Sequence, residues 1–377
     1  DGAMSGVPGH PGAVQGLGMA LGLVLAFVLP SGPAGIVTLG LLALALGAAL
    51  LGARPARLPG ALVALLVGVL LAGAAAGLSR VAGEVPAAGP AAGFWAGVVA
   101  VWLGAWMLVA RIAVLPVRAG GGARRLRDLA APVIFGVTLL WLWEVTVRGL
   151  GVPGVILPPP SAIWARILMS SHLLWGDFVQ TFVKGALSGY AIGCGAAVAV
   201  AILIDRSSFL QRGLLPVGNF VAALPVVGIA PILVMWFGFD WQSKAAVVVV
   251  MVFFPMLVNT VEGLKATDRM QRDLMATYSA SYWQSMLKLR LPAAMPFIFN
   301  GLKIATTLAL IGAIVAEFFG SPIRGMGFRI STEVGRLGLD MVWAEIAVAA
   351  LAGSLFYGAV ALIEKGVTFW HPSQRGR

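Results

Sequence analysis

The sequence predicts an all-α, polytopic membrane protein with about ten transmembrane helices. Of its 377 residues, 59% are hydrophobic and only 11% are charged, and the mean hydropathy is +0.94. Soluble domains usually contain about 45–50% apolar and about 25% charged residues. Long apolar runs recur almost to the C-terminus, and each is long enough to cross about 30 Å of hydrocarbon as a helix. Helices are expected because they satisfy their own backbone hydrogen bonds in lipid.

The predicted spans form an early group of four and a later group of six. We divide the chain into an N-terminal four-helix membrane extension (residues 1–117), a basic cytoplasmic linker (118–131) and a second membrane domain (132–377). The glycines and charges of the linker mark a boundary, and its simplest role is an anchor on anionic lipid. The spans lie at about 13–30, 35–52, 59–78, 92–117, 132–150, 178–204, 213–237, 244–262, 294–320 and 341–363.

The distribution of the 26 lysines and arginines predicts the orientation of the chain. If the N-terminus is cytoplasmic, most of these residues fall in alternate loops on the cytoplasmic side, above all within 118–127 and 265–290. Cytoplasmic loops of membrane proteins carry such an excess of basic residues. We therefore expect a multi-pass protein of the bacterial inner membrane with both termini in the cytoplasm.

Several site classes are not indicated by the sequence. The net charge of +11 comes from basic residues spread through short loops, without the basic patch that marks a nucleic-acid site. Cys194 is the only cysteine, and His10, His172 and His371 are far apart, so neither a disulfide framework nor a metal site is predicted. The sequence also lacks a phosphate-binding Gly-x-x-x-x-Gly-Lys-Ser/Thr loop, so we do not expect this chain to hydrolyse ATP.

The longest polar interruption between spans, residues 263–292, carries the clearest functional pattern. It contains Asp273-Leu-Met-Ala-Thr-Tyr-Ser279 and, after nine further residues, Leu289-Arg-Leu-Pro292. We predict two short helices, broken near Ser279 to Ser281 and stopped by Pro292. Such an element can seat in a groove on a soluble partner. The alternative is an ordinary amphipathic cytoplasmic loop.

This segment resembles the cytoplasmic signature of binding-protein-dependent ABC importer permeases. That signature has an acidic residue, two alanines, a glycine four residues later and a distal Ile-x-Leu-Pro. The spacing agrees throughout, although Asp273 replaces the usual glutamate, Ser279 the glycine and Leu289 the isoleucine. Leu274 and Met275 stand where the alanines are usual.

Other segments of residues 132–377 resemble one branch of that family, the permeases of nitrate, sulfonate, taurine and bicarbonate importers. Each segment is short, but their order and spacing together are specific. The four early spans lie outside the resemblance. The segments are Leu157-Pro-Pro-Pro-Ser161, Leu224-Pro-Val-Val-Gly-Ile-Ala-Pro231, Trp236-Phe-Gly-Phe239, Phe254-Pro-Met-Leu-Val-Asn-Thr260, Ala280-Ser-Tyr-Trp-Gln284, Leu291-Pro-Ala-Ala-Met-Pro296 and Ala316-Glu317.

The resemblance implies a type I ABC importer permease core of about six helices in which residues 263–292 are the coupling segment. It also implies a dimer of separate ABC ATPase subunits that hold ATP and Mg²⁺, an extracytoplasmic substrate-binding protein, and a second permease copy in a homodimer. This chain would then bind no cofactor itself. The residues assigned to ATPase coupling are Asp273, Ala276, Ser279, Ala280, Ser281, Tyr282, Leu289 and Pro292.

Polar side chains and prolines inside the later spans are candidates for the transport pathway. A charge at the bilayer centre costs about 2.5–3.5 kcal/mol on insertion scales, so it needs a partner, a cavity or an interfacial position. Lys303 can instead snorkel to the interface, Glu317 can have a structural hydrogen-bonding role, and the two prolines can form a kink buried by packing. The candidates are Pro225, Pro231, Asn300, Lys303, Thr307 and Glu317.

Two other classes of membrane protein remain as alternatives. An ion-coupled secondary transporter needs no ATPase and usually shows paired, interrupted helices in two inverted halves. A membrane-embedded enzyme needs a catalytic constellation at one membrane face. Neither pattern is visible, so the importer permease is favoured. Its substrate remains open among small oxyanions, organosulfonates and aromatic or pyrimidine-like compounds.

Overall fold

The computed structural model describes residues 60–83, 92–114, 121–207, 209–210, 212–213, 225–321 and 324–370. In these ranges the regular structure is helical and contains no strand. Six of the described helices are long and apolar enough to cross a membrane. The predicted spans at 13–30 and 35–52 lie outside the described residues, so the count of ten spans stays a prediction.

The helices and two π-helical segments follow one another along the chain. They are α1 (Gly60–Gly83), α2 (Ala92–Val114), α3 (Gly121–Gly149), α4 (Pro160–Met169), α5 (Ser171–Phe178), π1 (Val179–Leu187), α6 (Ser188–Arg206), α7 (Val226–Phe237), α8 (Trp241–Lys265), α9 (Arg269–Thr277), α10 (Tyr282–Ser285), π2 (Met286–Arg290), α11 (Leu291–Phe318), α12 (Met326–Gly335) and α13 (Leu339–Val367). The chain divides into two compact units between Ile163 and Trp164.

In the first unit, α1, α2 and α3 pack against one another. Leu78, Phe94 and Val145 lie in their shared apolar core. The indole N–H of Trp141 donates to the Ala75 carbonyl at 3.1 Å and to the Ser79 hydroxyl at 3.0 Å, which ties α3 to α1. The sequence division at 118–131 differs from this arrangement because α3 begins within the proposed linker and packs with the earlier helices.

The proline-rich segment 157–161 has a defined contact in the same unit. The Glu144 carboxylate accepts hydrogen bonds from the Ser161 backbone N–H at 2.8 Å and from its hydroxyl at 2.7 Å. Arg148, one turn later on α3, forms an ion pair with the same carboxylate. The start of α4 is thereby fixed to the end of α3.

In the second unit, α8 lies against both α11 and α6, and the three helices enclose the largest apolar core. Small residues allow helix backbones to approach closely in a membrane, where close packing rather than water exclusion holds helices together. A Cβ atom built at Gly193 of α6 would lie 3.1 Å from the Cα of Val249 on α8. A Cβ atom at Gly263 of α8 would lie 3.1 Å from the Cα of Ala294 on α11.

One sequence prediction about a helix boundary needs correction. Pro292 does not stop a helix, since the chain is helical without interruption from Tyr282 to Phe318. The Leu291 amide donates to the Met286 carbonyl in a π-type bond, and Pro292 follows in the first turn of α11, where a missing amide N–H costs little. Residues 214–224 of the span predicted at 213–237 lie outside the described residues, and the described helix α7 begins directly after Pro225.

The close approach of α6 to α8 predicts opposite outcomes for two glycines on α6. Gly193→Leu should destabilise the second unit by about 1–3 kcal/mol, because its side chain would enter the Val249–Val252 surface and over-packing has costs of this size. Gly195→Leu is the matched control, since a Cβ atom there meets nothing within 4 Å. Thermal unfolding in detergent measures both, and equal melting temperatures would contradict the packing described.

Candidate functional site

The segment between α8 and α11 begins with a well-capped short helix. The Asp268 carboxylate accepts from the Met270 amide at 3.3 Å and caps α9. Asp273, the acidic residue of the signature, is exposed within this helix, and its carbonyl accepts from the Thr277 hydroxyl. The signature residues therefore lie on a defined helix rather than in an irregular loop.

The end of α9 explains why a glycine is usual at position 279. Ser279 has φ = 53°, the left-handed conformation that glycine adopts without steric cost. The Ser279 amide donates to the Ala276 carbonyl at 2.9 Å and the Ala280 amide to the Met275 carbonyl at 3.0 Å. This pair of bonds is the Schellman motif that ends many helices. Ser279 thus fills the same structural position at some conformational cost.

Helix α10 restarts the chain two residues later through a reciprocal cap. The Ser281 hydroxyl accepts from the Gln284 amide at 3.3 Å, and the Gln284 side chain accepts from the Ser281 amide at 2.8 Å. This capping box satisfies two backbone donors at once. Ser281 therefore stabilises the break between α9 and α10, at the position that the sequence predicted.

An ion pair formed by Arg290, which follows this break along the chain, joins the segment to α6 and α8. The Arg290 guanidinium donates twice to the Asp205 carboxylate, in one case at 2.7 Å, and also to the Leu264 carbonyl at 3.1 and 3.2 Å. The Tyr282 hydroxyl donates to Asp205 at 3.0 Å. Both charged side chains are about 15% exposed, at 15% and 14%, so water screens this pair less than a surface pair. We call Asp205, Tyr282, Leu264 and Arg290 the anchor.

Sequence reasoning singled out Tyr282 but missed the ion pair of the anchor. Arg290 was counted only among the basic residues that set orientation, and Asp205 was not singled out. The available signal was an acidic residue at the end of a long apolar run, where a charge needs a partner. Its partner could not be named from the sequence, because Asp205 and Arg290 are 85 positions apart.

Helices α9 and α10 carry an exposed apolar surface. Met270, Leu274 and Tyr278 recur at four-residue intervals, which places them on one side of the helix, and Trp283 follows on α10. All four are more than half exposed, at 74%, 57%, 77% and 51%. We call these four residues the coupling face. Leu289 and Pro292 do not belong to it, since both are only partly exposed within π2 and α11.

A buried polar cluster lies at the other end of the second unit. Glu317 of α11 accepts from the Thr181 hydroxyl at 2.9 Å and from the Gly327 amide at 2.8 Å. Asp177 accepts from the Gly325 amide at 2.7 Å and forms an ion pair with Arg329 at 2.8 Å. Carboxylates at this position satisfy the free amides of the α12 N-terminus. The hydrogen bond to Asp177 raises the pKa of Arg329.

The candidate pathway residues are not gathered into one site by the described residues. Glu317 is buried and accepts the hydrogen bonds described above. Lys303 forms an ion pair with Glu364 of α13 at 2.8 Å. The Asn300 amide donates to Asn259 at 3.0 Å. Their assignment to a pathway stays a prediction.

Thr307, Pro225 and Pro231 occupy three further positions. Thr307 lines an open apolar groove of about 660 Å³ between α11 and α13. Pro225 is the residue before α7, with an extended backbone, and Pro231 lies inside this helix. Helical geometry is therefore interrupted at Pro225, and α7 continues through Pro231.

Comparison with known proteins places much of the second unit in a described family. Residues 189–369 match the family of binding-protein-dependent transport system inner membrane components. This range contains Asp205, all of α9 and α10, Arg290 and Glu317. The matched region thus contains the whole anchor and, of the buried polar cluster, Glu317, Gly325, Gly327 and Arg329, whereas Asp177 and Thr181 precede it.

Individual permeases extend the similarity over most of their length. The chain is 33% identical to the formylaminopyrimidine transport permease protein ThiX of Halalkalibacterium halodurans, over 64% of this chain and 96% of ThiX. It is 30% identical to the riboflavin transport system permease protein RibX of Chloroflexus aurantiacus, over 65% and 91%. It is 28% identical to the putative aliphatic sulfonates transport permease protein SsuC of Bacillus subtilis, over 65% and 88%. The chain therefore belongs to the binding-protein-dependent inner-membrane permeases of ABC transporters, the family its cytoplasmic segment predicted.

Proposed function

We propose that this chain is the permease subunit of an ATP-binding-cassette importer that moves a small oxyanion or organosulfonate-like solute into the cytoplasm by alternating access. The observation that carries the proposal is the coupling face, an exposed apolar surface on a segment that the anchor ties to α6 and α8. A soluble ATPase subunit is the partner that would cover it. That subunit, and not this chain, would bind ATP and Mg²⁺ and hydrolyse the nucleotide.

The anchor supplies a physical route from the ATPase to the membrane helices. Arg290 contacts Asp205 at the end of α6 and the last-turn carbonyl of Leu264 on α8, while π2 continues directly into α11. A displacement of α9 and α10 would therefore be transmitted to three packed helices together. Packed helices move together as a rigid body, because protein interiors are packed as densely as organic crystals.

The remaining partners follow from the family and the predicted topology. A loaded substrate-binding protein would dock on the extracytoplasmic face, and both termini would be in the cytoplasm of a bacterial inner membrane. Residues 1–117 would form a peripheral scaffold in contact with lipid or with the core. Membership of this family does not favour the ion-coupled secondary transporter considered from the sequence.

Substitutions on the coupling face should uncouple the ATPase. Met270→Asp with Leu274→Asp places two charges on the surface that would be buried, so the purified permease should lose its ATPase partner and substrate-driven hydrolysis. Arg272→Asp is the control on the opposite side of α9, about 200° from Met270, although it changes the charge at its position by two units. If the double variant still co-purifies with the ATPase and transports normally, the docking assignment is wrong.

Weakening the anchor should separate ATPase binding from transport. Asp205→Asn removes the charge that holds Arg290 and leaves the coupling face intact, so we expect ATPase to bind while transport by the reconstituted importer falls at least about tenfold, the effect of losing about 1.4 kcal/mol. Asp268→Asn is an isosteric control, because asparagine caps a helix as well as aspartate. Equal transport by both variants would contradict a coupling role for the anchor.

The permease should be a two-fold homodimer, since symmetric pairing is the commonest closed assembly and one six-helix core forms only half of a pathway in this architecture. Native mass spectrometry of the complex in detergent should find two copies of this chain with two ATPase subunits. A complex with one copy and a different permease would refute the homodimer and leave the importer assignment unaffected.

A further inference from the structure

A pocket of about 280 Å³ lies beside α5 and π1, away from the anchor. Its lining includes Trp175, Gln180, Lys184 and Arg324. Trp175 is 65% exposed, whereas Gln180 is buried. A small pocket with an aromatic wall and convergent polar groups is the usual form of a ligand site.

The two basic side chains of this pocket differ from the other basic residues at the same end of the unit. Arg166, Arg329 and Arg336 each form an ion pair with a carboxylate, and the Lys244 ammonium donates to two backbone carbonyls. Among the described residues, no carboxylate lies within the 4.0 Å ion-pair distance of Lys184 or Arg324. The pocket therefore holds two cationic groups whose hydrogen-bond donors remain available.

Asp240 is the acidic residue that acts electrostatically on Lys184. Its Oδ1 atom already accepts from the Trp241 amide at 2.8 Å and from the Gln180 side chain at 3.1 Å. The Trp241 amide, followed by Gln180, lowers the pKa of Asp240, so this carboxylate stays ionised at neutral pH. Asp240 lies outside the pocket lining, and its single charge does not neutralise both Lys184 and Arg324. The pocket therefore stays electropositive.

The position of Lys184 along its helix places the pocket near a membrane surface. The helix from Ser171 to Arg206 has 36 residues and would be about 54 Å long, longer than the hydrocarbon layer of about 30 Å. Lys184 lies about 33 Å along the helix from Arg206. With Arg206 at the cytoplasmic surface, Lys184 is at the outer one. It also belongs to π1, and π segments within α-helices often mark functional positions.

We propose that this pocket binds a small anion with oxygen acceptors, such as a sulfonate or carboxylate, at the outer entrance of the permease. Lys184 and Arg324 would donate to the oxygen atoms, and Trp175 would contact the apolar part of the same molecule. The outer location and the role as an entry site for substrate rest on the proposed function. The anion-binding property itself depends only on the pocket.

The test measures binding of methanesulfonate to the full chain in nanodiscs made of neutral phosphatidylcholine. The protein carries 5-fluorotryptophan, and the ¹⁹F resonance of Trp175 is assigned with Trp175→Phe. Methanesulfonate should shift this resonance saturably, whereas dimethyl sulfone, a neutral molecule of nearly the same shape, should not. Equal shifts with both molecules, or no saturable shift, would overturn the proposal.

Variants connect the response to the two cations. Lys184→Gln with Arg324→Gln should raise the dissociation constant at least about tenfold, whereas Lys184→Arg should retain binding and so show that the pocket tolerates substitution. Arg336→Gln is the control for loss of an exposed positive charge outside the pocket, and it should bind as the unsubstituted chain does. Unchanged affinity in the double variant would also overturn the proposal.

A second set of nanodiscs distinguishes substrate from lipid. When phosphatidylglycerol replaces part of the phosphatidylcholine, the response to methanesulfonate should persist. Its loss would assign the pocket to an anionic lipid headgroup and overturn the role in substrate entry. These measurements use this chain without the ATPase or the binding protein. A negative result would therefore exclude the anion site without bearing on the importer assignment, which ATPase co-purification and transport test.

Discussion

The antiparallel contact between α8 and α11 determines the arrangement of the second unit. Glycine and alanine at positions such as Gly263 and Ala294 let the two backbones meet closely, which is the main source of helix association in lipid. At each end of the α8–α11 pair, a basic side chain also donates a hydrogen bond to a backbone carbonyl across the contact. Arg290 donates to Leu264 at one end, and Lys244 donates to Gly320 at the other.

This arrangement gives the two ends of the unit different chemistry. At the Arg290 end, the ion pair with Asp205 is partly exposed and belongs to the segment that also carries an exposed apolar surface. At the Lys244 end, Asp177 and Glu317 are almost fully buried and satisfy backbone amides of α12. The first end is therefore suited to contact with a moving partner. The second is a closed hydrogen-bonded structure, in which the loss of one acceptor would leave a buried donor unsatisfied.

The exposed pocket lined by Lys184 and Arg324 is at the same end of the unit as the buried polar cluster. Lys184 and Arg324 are close in sequence to Thr181 and Gly325, which belong to the buried cluster. A ligand in the pocket would thus contact the same two chain segments that the buried carboxylates hold together. Binding there is physically connected to the packing of α5, π1 and α12, whereas the anchor lies at the far end of the helix from Ser171 to Arg206.

The sequence by itself determined the fold class, because only helices satisfy backbone polar groups in lipid and apolar runs of sufficient length are visible without a structure. It also identified the family and predicted the helix break at Ser279–Ser281, since both depend on local spacing and turn chemistry. It misjudged Pro292, because a proline in the first turn after a π segment does not end a helix.

Only the tertiary structure decided which polar residues meet. The Asp205–Arg290 pair, the Glu317–Thr181 contact and the Lys303–Glu364 pair each join distant parts of the chain. Local periodicity places a residue on a face of its own helix but does not specify the neighbouring helix. For that reason Glu317 and Lys303 were pathway candidates in the sequence, and their partners emerged only when the helices were packed.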